Sequence, residues 1–362
     1  MNTPYSAQPK TAFWRDSVSR KVRDQVDPAP VVIDRLDRST PVVTAGSCFA
    51  QHIARNLRQS GYNYLVTEGA HPLCPPALAA EYNYGTFSAR YGNLYVPRQL
   101  LQLIDRAWGR FHPAENVWPG ADGALIDPFR PEIQPGGFAS RAEFDADREQ
   151  HFAAVRAAFE RMEVFVFTLG LTETWVSRKD GAVFQLCPGV RGGSFSEADH
   201  RFLNLGLSEI MDDMRQVLAR LAEINPRLRV ILTVSPVPLA ATATDRHVLT
   251  ATFHSKSILR VACSELEAAY PNVTYFPSYE IIMGQHARGA YFADDLRSVT
   301  EIGVRHVMGV FFRSFCGDST DTYAPAGAPA PTPPDSAEDA AMRLVCEEEA
   351  LAALASGADE AR

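Results

Sequence analysis

The chain has 362 residues, 46% hydrophobic and 22% charged, which is enough apolar material for a sizeable core. Its 43 acidic and 35 basic side chains leave a formal net charge of −8 with no Lys/Arg-rich stripe, which argues against a nucleic-acid partner. The polar start Met1-Asn2-Thr3-Pro4-Tyr5 lacks the apolar core of a signal peptide, and no stretch approaches the roughly 18 apolar residues of a membrane span, so the expected location is cytoplasmic.

Residues 1–40 are polar and Pro-containing, with Phe13, Trp14 and Val22 as the few anchors, and read as a lead-in packed on the surface. A strand is predicted at 41–45. It is followed by a helix in which Phe49, Ile53 and Leu57 recur at four-residue spacing, and a second strand at 62–66 would complete a βαβ-like unit. Pro97 opens a helix through Leu100, Leu101, Leu103 and Ile104. Residues 109–140 hold Phe111, Trp118, Phe129 and Phe138 among Pro and Gly. That is too irregular for one element and too aromatic for a mobile loop, and either a cap over a pocket or a structural excursion over a helix has this composition.

The runs 164–169 and 230–234 are short, continuous and β-branched or aromatic, as in strands covered on both faces; 273–276 is a weaker strand. Helix patterns lie at 145–161, 208–223, 253–269 and 300–315. The alternation predicts an α/β chain, a three-layer α/β/α sandwich with a mostly parallel central sheet, over 41–316. Residues 317–335 are Pro/Ala-rich and read as a disordered linker; 336–362 read as a C-terminal helix and tail, a candidate contact for a partner.

The chemistry concentrates at Thr44-Ala45-Gly46-Ser47-Cys48-Phe49-Ala50. Gly46 permits a sharp turn, and Ser47 is expected on the first turn of the following helix, where unpaired N–H groups and the helix dipole favour negative charge on oxygen. A nucleophile that must stabilise an oxyanion suits that position, and so does an ordinary N-cap serine. Cys48 points about 100° away from Ser47 and reads as a small packed hydrophobe, with a catalytic thiolate as the alternative. The six cysteines, at 48, 74, 187, 263, 316 and 346, have no close pairing and read as free thiols.

Gly46-Ser47-Cys48-Phe49-Ala50 resembles the signature of the GSCFA family, and further blocks resemble it in order. They are 83–93 (Asn-Tyr-Gly-Thr-Phe-Ser-Ala-Arg-Tyr-Gly-Asn), 168–175, 233–238, Ser255-Lys256-Ser257, 275–280 and 294–299. That family is similar to the SGNH/GDSL hydrolase superfamily, which implies an SGNH-hydrolase or flavodoxin-like fold. It also implies an esterase or O-acyltransferase acting on a sugar or glycoconjugate ester, with no cofactor. The resemblance implies Ser47 as nucleophile, with its own N–H, Gly92 or Asn93, and Thr172 holding the oxyanion. Thr172 stands where the superfamily has an asparagine, and its hydroxyl is a shorter donor. Glu173 reads as a second carboxylate or as half of a structural ion pair with Arg191 or Lys256, and Trp175 as a pocket wall.

The superfamily's last block, Asp-X-X-His, is matched by Asp295-Leu296-Arg297-Ser298, with Ser298 in the place of the histidine. Without an imidazole there, Ser47 needs another base. His247, in the loop after 230–234, is the first choice, with Asp295 or Glu173 orienting it. His254 is less favoured; it stands near Lys256, which would bind an anionic substrate group. His306 points elsewhere. A catalytically decayed binding or scaffold protein is the alternative. No metal set emerges, since no histidine pair has ligand spacing beside a carboxylate.

Overall fold

The computed structural model describes residues 3–32, 34–317 and Ala350. The C-terminal helix and most of the expected linker therefore lie outside the described residues.

Two compact units divide the chain. One holds Arg38–Thr274; the other joins the chain up to Asp37 with the stretch beginning at Tyr275. In the larger unit, in chain order, come β1 (Val42–Gly46), α1 (Phe49–Gln59), α2 (Pro76–Glu81) and α3 (Pro97–Ala107). A two-strand hairpin of β2 (Trp118–Pro119) and β3 (Leu125–Ile126) follows, then α4 (Arg141–Arg161) and β4 (Val164–Leu169). Next are β5 (Glu173–Ser177), β6 (Val183–Phe184), β7 (His200–Asn204), α5 (Leu207–Ile224), β8 (Arg229–Val234) and α6 (Val248–Ala269).

The central sheet has the order β1-β4-β8-β9, where β9 is Val273–Tyr275. β4 pairs in parallel with β1 on one side and β8 on the other. All five residues of β1 and all six of β4 are buried. Successive side chains leave a strand on opposite faces, so both faces of the sheet are covered and the architecture is α/β with helices on either side. The apolar runs were therefore the right signal.

The expected strand at 62–66 is not one: only Tyr64 bridges Val42, a single parallel pairing at the edge of β1. A second sheet went unread in the sequence. It is antiparallel, ordered β6-β5-β7, and lies directly after β4. The 109–140 segment is organised around two apolar clusters. Trp118, Ile126 and Phe129 pack with Ala182 and Phe184, and Ile133 and Phe138 pack with Phe144 of α4.

The smaller unit contains α7 (Ser278–Met283) and α8 (Glu301–Phe311); Val26, Asp27, Pro30 and Leu36 meet α8 and the turn after it, whereas Phe13, Trp14 and Val22 are exposed and anchor nothing among the described residues. His306 Nε2 lies 3.0 Å from the Val26 carbonyl, Arg313 pairs with Asp27, and the Phe276, Phe311 and Phe315 rings cluster. Among the described residues no helix is long and apolar enough to cross a membrane.

Candidate active site

The site is set by strand register. Gly46, Thr168 and Thr233 stand opposite one another at the carboxyl ends of β1, β4 and β8. The segments that follow them, beginning Ser47, Gly170 and Ser235, therefore leave the sheet at one level, the edge at which open parallel sheets bind ligands.

Gly46 is indispensable to this corner. Its φ is +132°, and a Cβ there would stand 2.2 Å from the Thr168 carbonyl oxygen. The turn lets Ser47 N–H donate to Thr168 O at 3.0 Å and Gly46 O accept from Leu94 N–H at 2.8 Å, which draws the Gly92-Asn93 loop against the corner. Ser47 is one residue earlier than expected: Cys48 is the N-cap of α1, and the Ser47 carbonyl accepts from Ala50 N–H. Ser47 is 3% exposed, and its Oγ has no hydrogen-bond partner among the described residues. Gly170 lies against it; a Cβ on Gly170 would be 3.1 Å from Ser47 Cβ and 3.0 Å from the Tyr95 ring.

Past Gly170 opens a cavity of about 300 Å³, mostly apolar, lined by Tyr95, Leu171, Trp175, Phe202 and Leu239, with Glu173, Thr242, Gln99 and Gln185 among its polar residues. Tyr95 connects the corner to the pocket, because its carbonyl accepts from the N–H groups of both Gly170 and Leu171. Trp175 is a wall of this pocket, packed edge-on against Phe195. No residue of 109–140 lines it. Cys187, also in the lining, has its thiol pushed up to about 11 by burial and stays protonated.

Several expected roles fall differently. Both donors of Thr172 are engaged, its N–H to Ser255 Oγ at 2.9 Å and its hydroxyl to Asn204 Oδ1 at 2.7 Å, so it does not serve an oxyanion. The Ser47 N–H is likewise bonded to Thr168 O. Asn93 is buried; its Oδ1 accepts from Gln51 Nε2, and its Nδ2 lies 3.4 Å from Tyr95 Oη. Among the described residues no cation pairs with Glu173. Its oxygens accept from the Thr242 hydroxyl at 2.7 Å and the Ala243 N–H at 3.2 Å, while Arg191 pairs with Glu132. Lys256 is 1% exposed and donates to the Gly170 carbonyl at 2.5 Å, fixing the corner instead of meeting substrate.

None of the candidate bases is bonded to Ser47. His247 is exposed and caps α6, its Nδ1 accepting from Leu249 N–H at 3.2 Å. His254 is exposed on α6, while Ser255 and Lys256 beside it are buried. His306, in the smaller unit, is 2.8 Å from Tyr291 Oη. Asp295, in the same unit, is absorbed by its own turn: it accepts from the N–H groups of Arg297 and Ser298 and from Ser298 Oγ at 2.5 Å. These bonds and the Arg297 charge hold its carboxyl below the usual range despite some burial.

The sequence reading missed His52 on α1. It is buried with Nδ1 unpartnered among the described residues, and burial, with Arg55 beside it, lowers its pKa to about 3. It is neutral at pH 7. A buried polar residue on an apolar helix face was the available signal. No group of three or more His, Cys, Asp or Glu side chains among the described residues is arranged to hold a metal.

Comparison with known proteins gives a family but little more. The family model described as GSCFA family matches residues 41–311. The chain belongs to the GSCFA family. No curated protein matches this GSCFA chain. Among solved structures, a Clostridium thermocellum family 3 carbohydrate esterase is similar at 9% identity with a TM-score of 0.34, over 77% of this chain and 96% of that one.

Proposed function

We propose that this GSCFA protein is a serine hydrolase or acyltransferase acting on an O-acyl ester of a sugar or glycoconjugate, with Ser47 as the nucleophile. The observation that carries the reading is the Ser47 corner. A hydroxyl with no hydrogen-bond partner among the described residues stands at the carboxyl end of a central parallel strand, against a side-chain-free Gly170, which itself abuts Tyr95 of the apolar pocket; Ser47 is not part of that pocket's lining. Attack by Ser47 Oγ on the acyl carbonyl forms the acyl-enzyme and releases the sugar oxygen as alcohol. Water or a second hydroxyl then takes the acyl group, and a general base removes the attacking proton in each half. In this reading the backbone N–H of Gly92 or of Asn93, in the loop held against the corner by the Leu94 N–H to Gly46 O bond, donates to the oxyanion. Trp175 and Glu173 suit the acceptor side: an indole face packs on the apolar face of a sugar ring, and a carboxylate accepts from its hydroxyls.

One observation favours the rival, a binding protein on the same fold: Ser47 Oγ is bonded to no histidine. Labelling with a fluorophosphonate probe, read by peptide mass spectrometry, separates the two. The hydrolase reading expects an adduct on Ser47 that is lost in Ser47→Ala at unchanged melting temperature, because the hydroxyl removed is a buried one without a partner. No adduct, under conditions that fully label a control hydrolase, would leave the binding protein.

A further inference from the structure

A second buried site lies around α4, where the charges do not balance. Glu68 accepts from the Arg90 N–H at 2.7 Å and lies 2.8 Å from His151 Nδ1. Asp147 takes Arg90 Nη1 at 3.0 Å and Arg130 Nη2. Asp127 takes Arg130 Nε at 2.9 Å and the Phe129 N–H at 3.1 Å, with Arg148 Nη2 at 3.3 Å. Every carboxylate in the cluster is thus claimed by Arg90, Arg130, Arg148 or His151.

Arg106 is left over. Its residue is 8% exposed, and its guanidinium lies 3.7 Å from the Phe129 ring centroid and 5.1 Å from that of Phe152. Its guanidinium makes no hydrogen bond or ion pair among the described residues. Burial, with Arg148 and Arg130 nearby, lowers its pKa to about 9 against the opposing pull of Asp127, so it stays cationic at neutral pH. Burial also lowers the pKa of His151, so that ring is not the source of the excess charge.

A cavity of about 20 Å³ adjoins these groups, lined by Arg106, Arg130, His151, Gln99, Gln102 and Gln185. That is room for about one water-sized body, too little for sulfate or phosphate. Arg130 Nη1, a buried donor without a hydrogen-bond partner, belongs to a lining residue. So does the one orphan acceptor, Gln185 Oε1, whose amide nitrogen is held by the Tyr91 and Asn93 carbonyls. A water molecule answers Arg130 and Gln185 together but leaves the Arg106 guanidinium without a direct ion pair, with only the pull of Asp127, which Arg130 and Arg148 already claim; a buried charge so placed is costly.

We propose that this cavity is a halide site, holding one chloride against the guanidinium groups of Arg106 and Arg130. The site is independent of what Ser47 does, yet it backs onto the candidate substrate pocket: Gln99 and Gln185 line both, and Gln99 Oε1 accepts from the Tyr95 and Val96 N–H groups.

The test is thermal melting of the full chain at constant ionic strength in gluconate, chloride and bromide. The wild type is expected to gain about 3 °C, saturably, in either halide over gluconate. Arg106→Met, which keeps an unbranched apolar side chain against Phe129, is expected to lose that difference. Crystals grown in bromide are expected to show an anomalous peak between Arg106 and Arg130, a readout that stands even if the variant does not fold. Equal melting in gluconate and bromide, a halide shift retained by Arg106→Met, or a bromide map with only water at that place would each overturn the proposal.

Discussion

Gly46→Ala tests whether the corner at the end of β1 is built as described. The perturbation adds one methyl group at φ +132°, a region that side-chain-bearing residues rarely adopt, at a cost of about 1–3 kcal/mol. The methyl also meets the Thr168 carbonyl oxygen at 2.2 Å, its nitrogen at 2.7 Å and its carbonyl carbon at 2.8 Å. All three are backbone atoms of the neighbouring strand, so no rotamer change relieves the contact. β1 must separate from β4 at its last pairing, and the Ser47 N–H to Thr168 O bond is lost, adding about 1 kcal/mol. The total is at least about 3 kcal/mol, or a fall of about 6–12 °C in melting temperature for a unit of this size. Gly109→Ala is the control. Its φ of +68° carries the same kind of backbone cost, but a Cβ there meets nothing within 4 Å, so a loss of only about 1–2 kcal/mol is expected. Urea midpoints for wild type and both variants decide the matter. If Gly46→Ala is no more damaging than Gly109→Ala, the close approach of β1 and β4 at Thr168 is not what the glycine is for.

Acid stability follows from buried histidines and carboxylates. The His52 pKa lies near 3 in the folded chain against an ordinary 6.5, so unfolding takes up a proton between those values. Its contribution, up to about 5 kcal/mol, is complete above pH 6.5 and is lost as pH falls towards 3. His306, lowered to about 4 chiefly by burial, acts in the same direction. Glu68 adds to the loss below about pH 4.5: burial pushes its carboxyl up, but His151, Arg130 and the Arg90 N–H outweigh that and hold it near 2. Urea midpoints that stay constant from pH 7 to 4.5 would contradict the His52 account, and His52→Phe should flatten the upper part of that slope. Lys256→Met removes the donor that holds the Gly170 carbonyl. It is expected to cost about 1–3 kcal/mol and to slow fluorophosphonate labelling at Ser47; labelling at the wild-type rate would show that the corner does not depend on that bond.

The strands and helices of the central sheet could be read from sequence because burial on both faces leaves continuous apolar runs, as in Val164–Leu169. Residues 62–66 share that composition, but their neighbours turn them away from β1 after one pairing at Tyr64. The second sheet escaped notice because Glu173–Ser177 mixes a carboxylate, hydroxyls and an indole, and its strands β6 and β7 are brought together only by the fold. At the site, the Gly46-Ser47 corner is local and was visible as such. The partners that redirect Thr172 are Asn204 and Ser255, far along the chain, and nothing in Gly-Leu-Thr-Glu announces them. His247 misled for a different reason: an imidazole seldom serves as an N-cap, yet here its Nδ1 does so. Lys256 and Arg106 were legible only as charges, and a charged side chain so fully enclosed goes against the usual distribution.

The smaller unit is closed by partners at opposite ends of the chain. His306 meets the Val26 carbonyl, Arg313 meets Asp27, and Ser314 meets the Pro30 carbonyl, each across 280 or more positions of sequence. The family match, 41–311, contains one side of the first pair, His306, and neither side of the other two. Expression of that interval alone would strip His306 of its carbonyl and leave the Phe276–Phe311 cluster without Phe315. During synthesis the same geometry imposes a wait: the opening residues emerge first, yet have nothing to dock on until the ribosome has passed Phe315. The strands β1, β4 and β8 and the helices α1 to α6 of the larger unit are all synthesised before Tyr275 and are free to fold in the meantime.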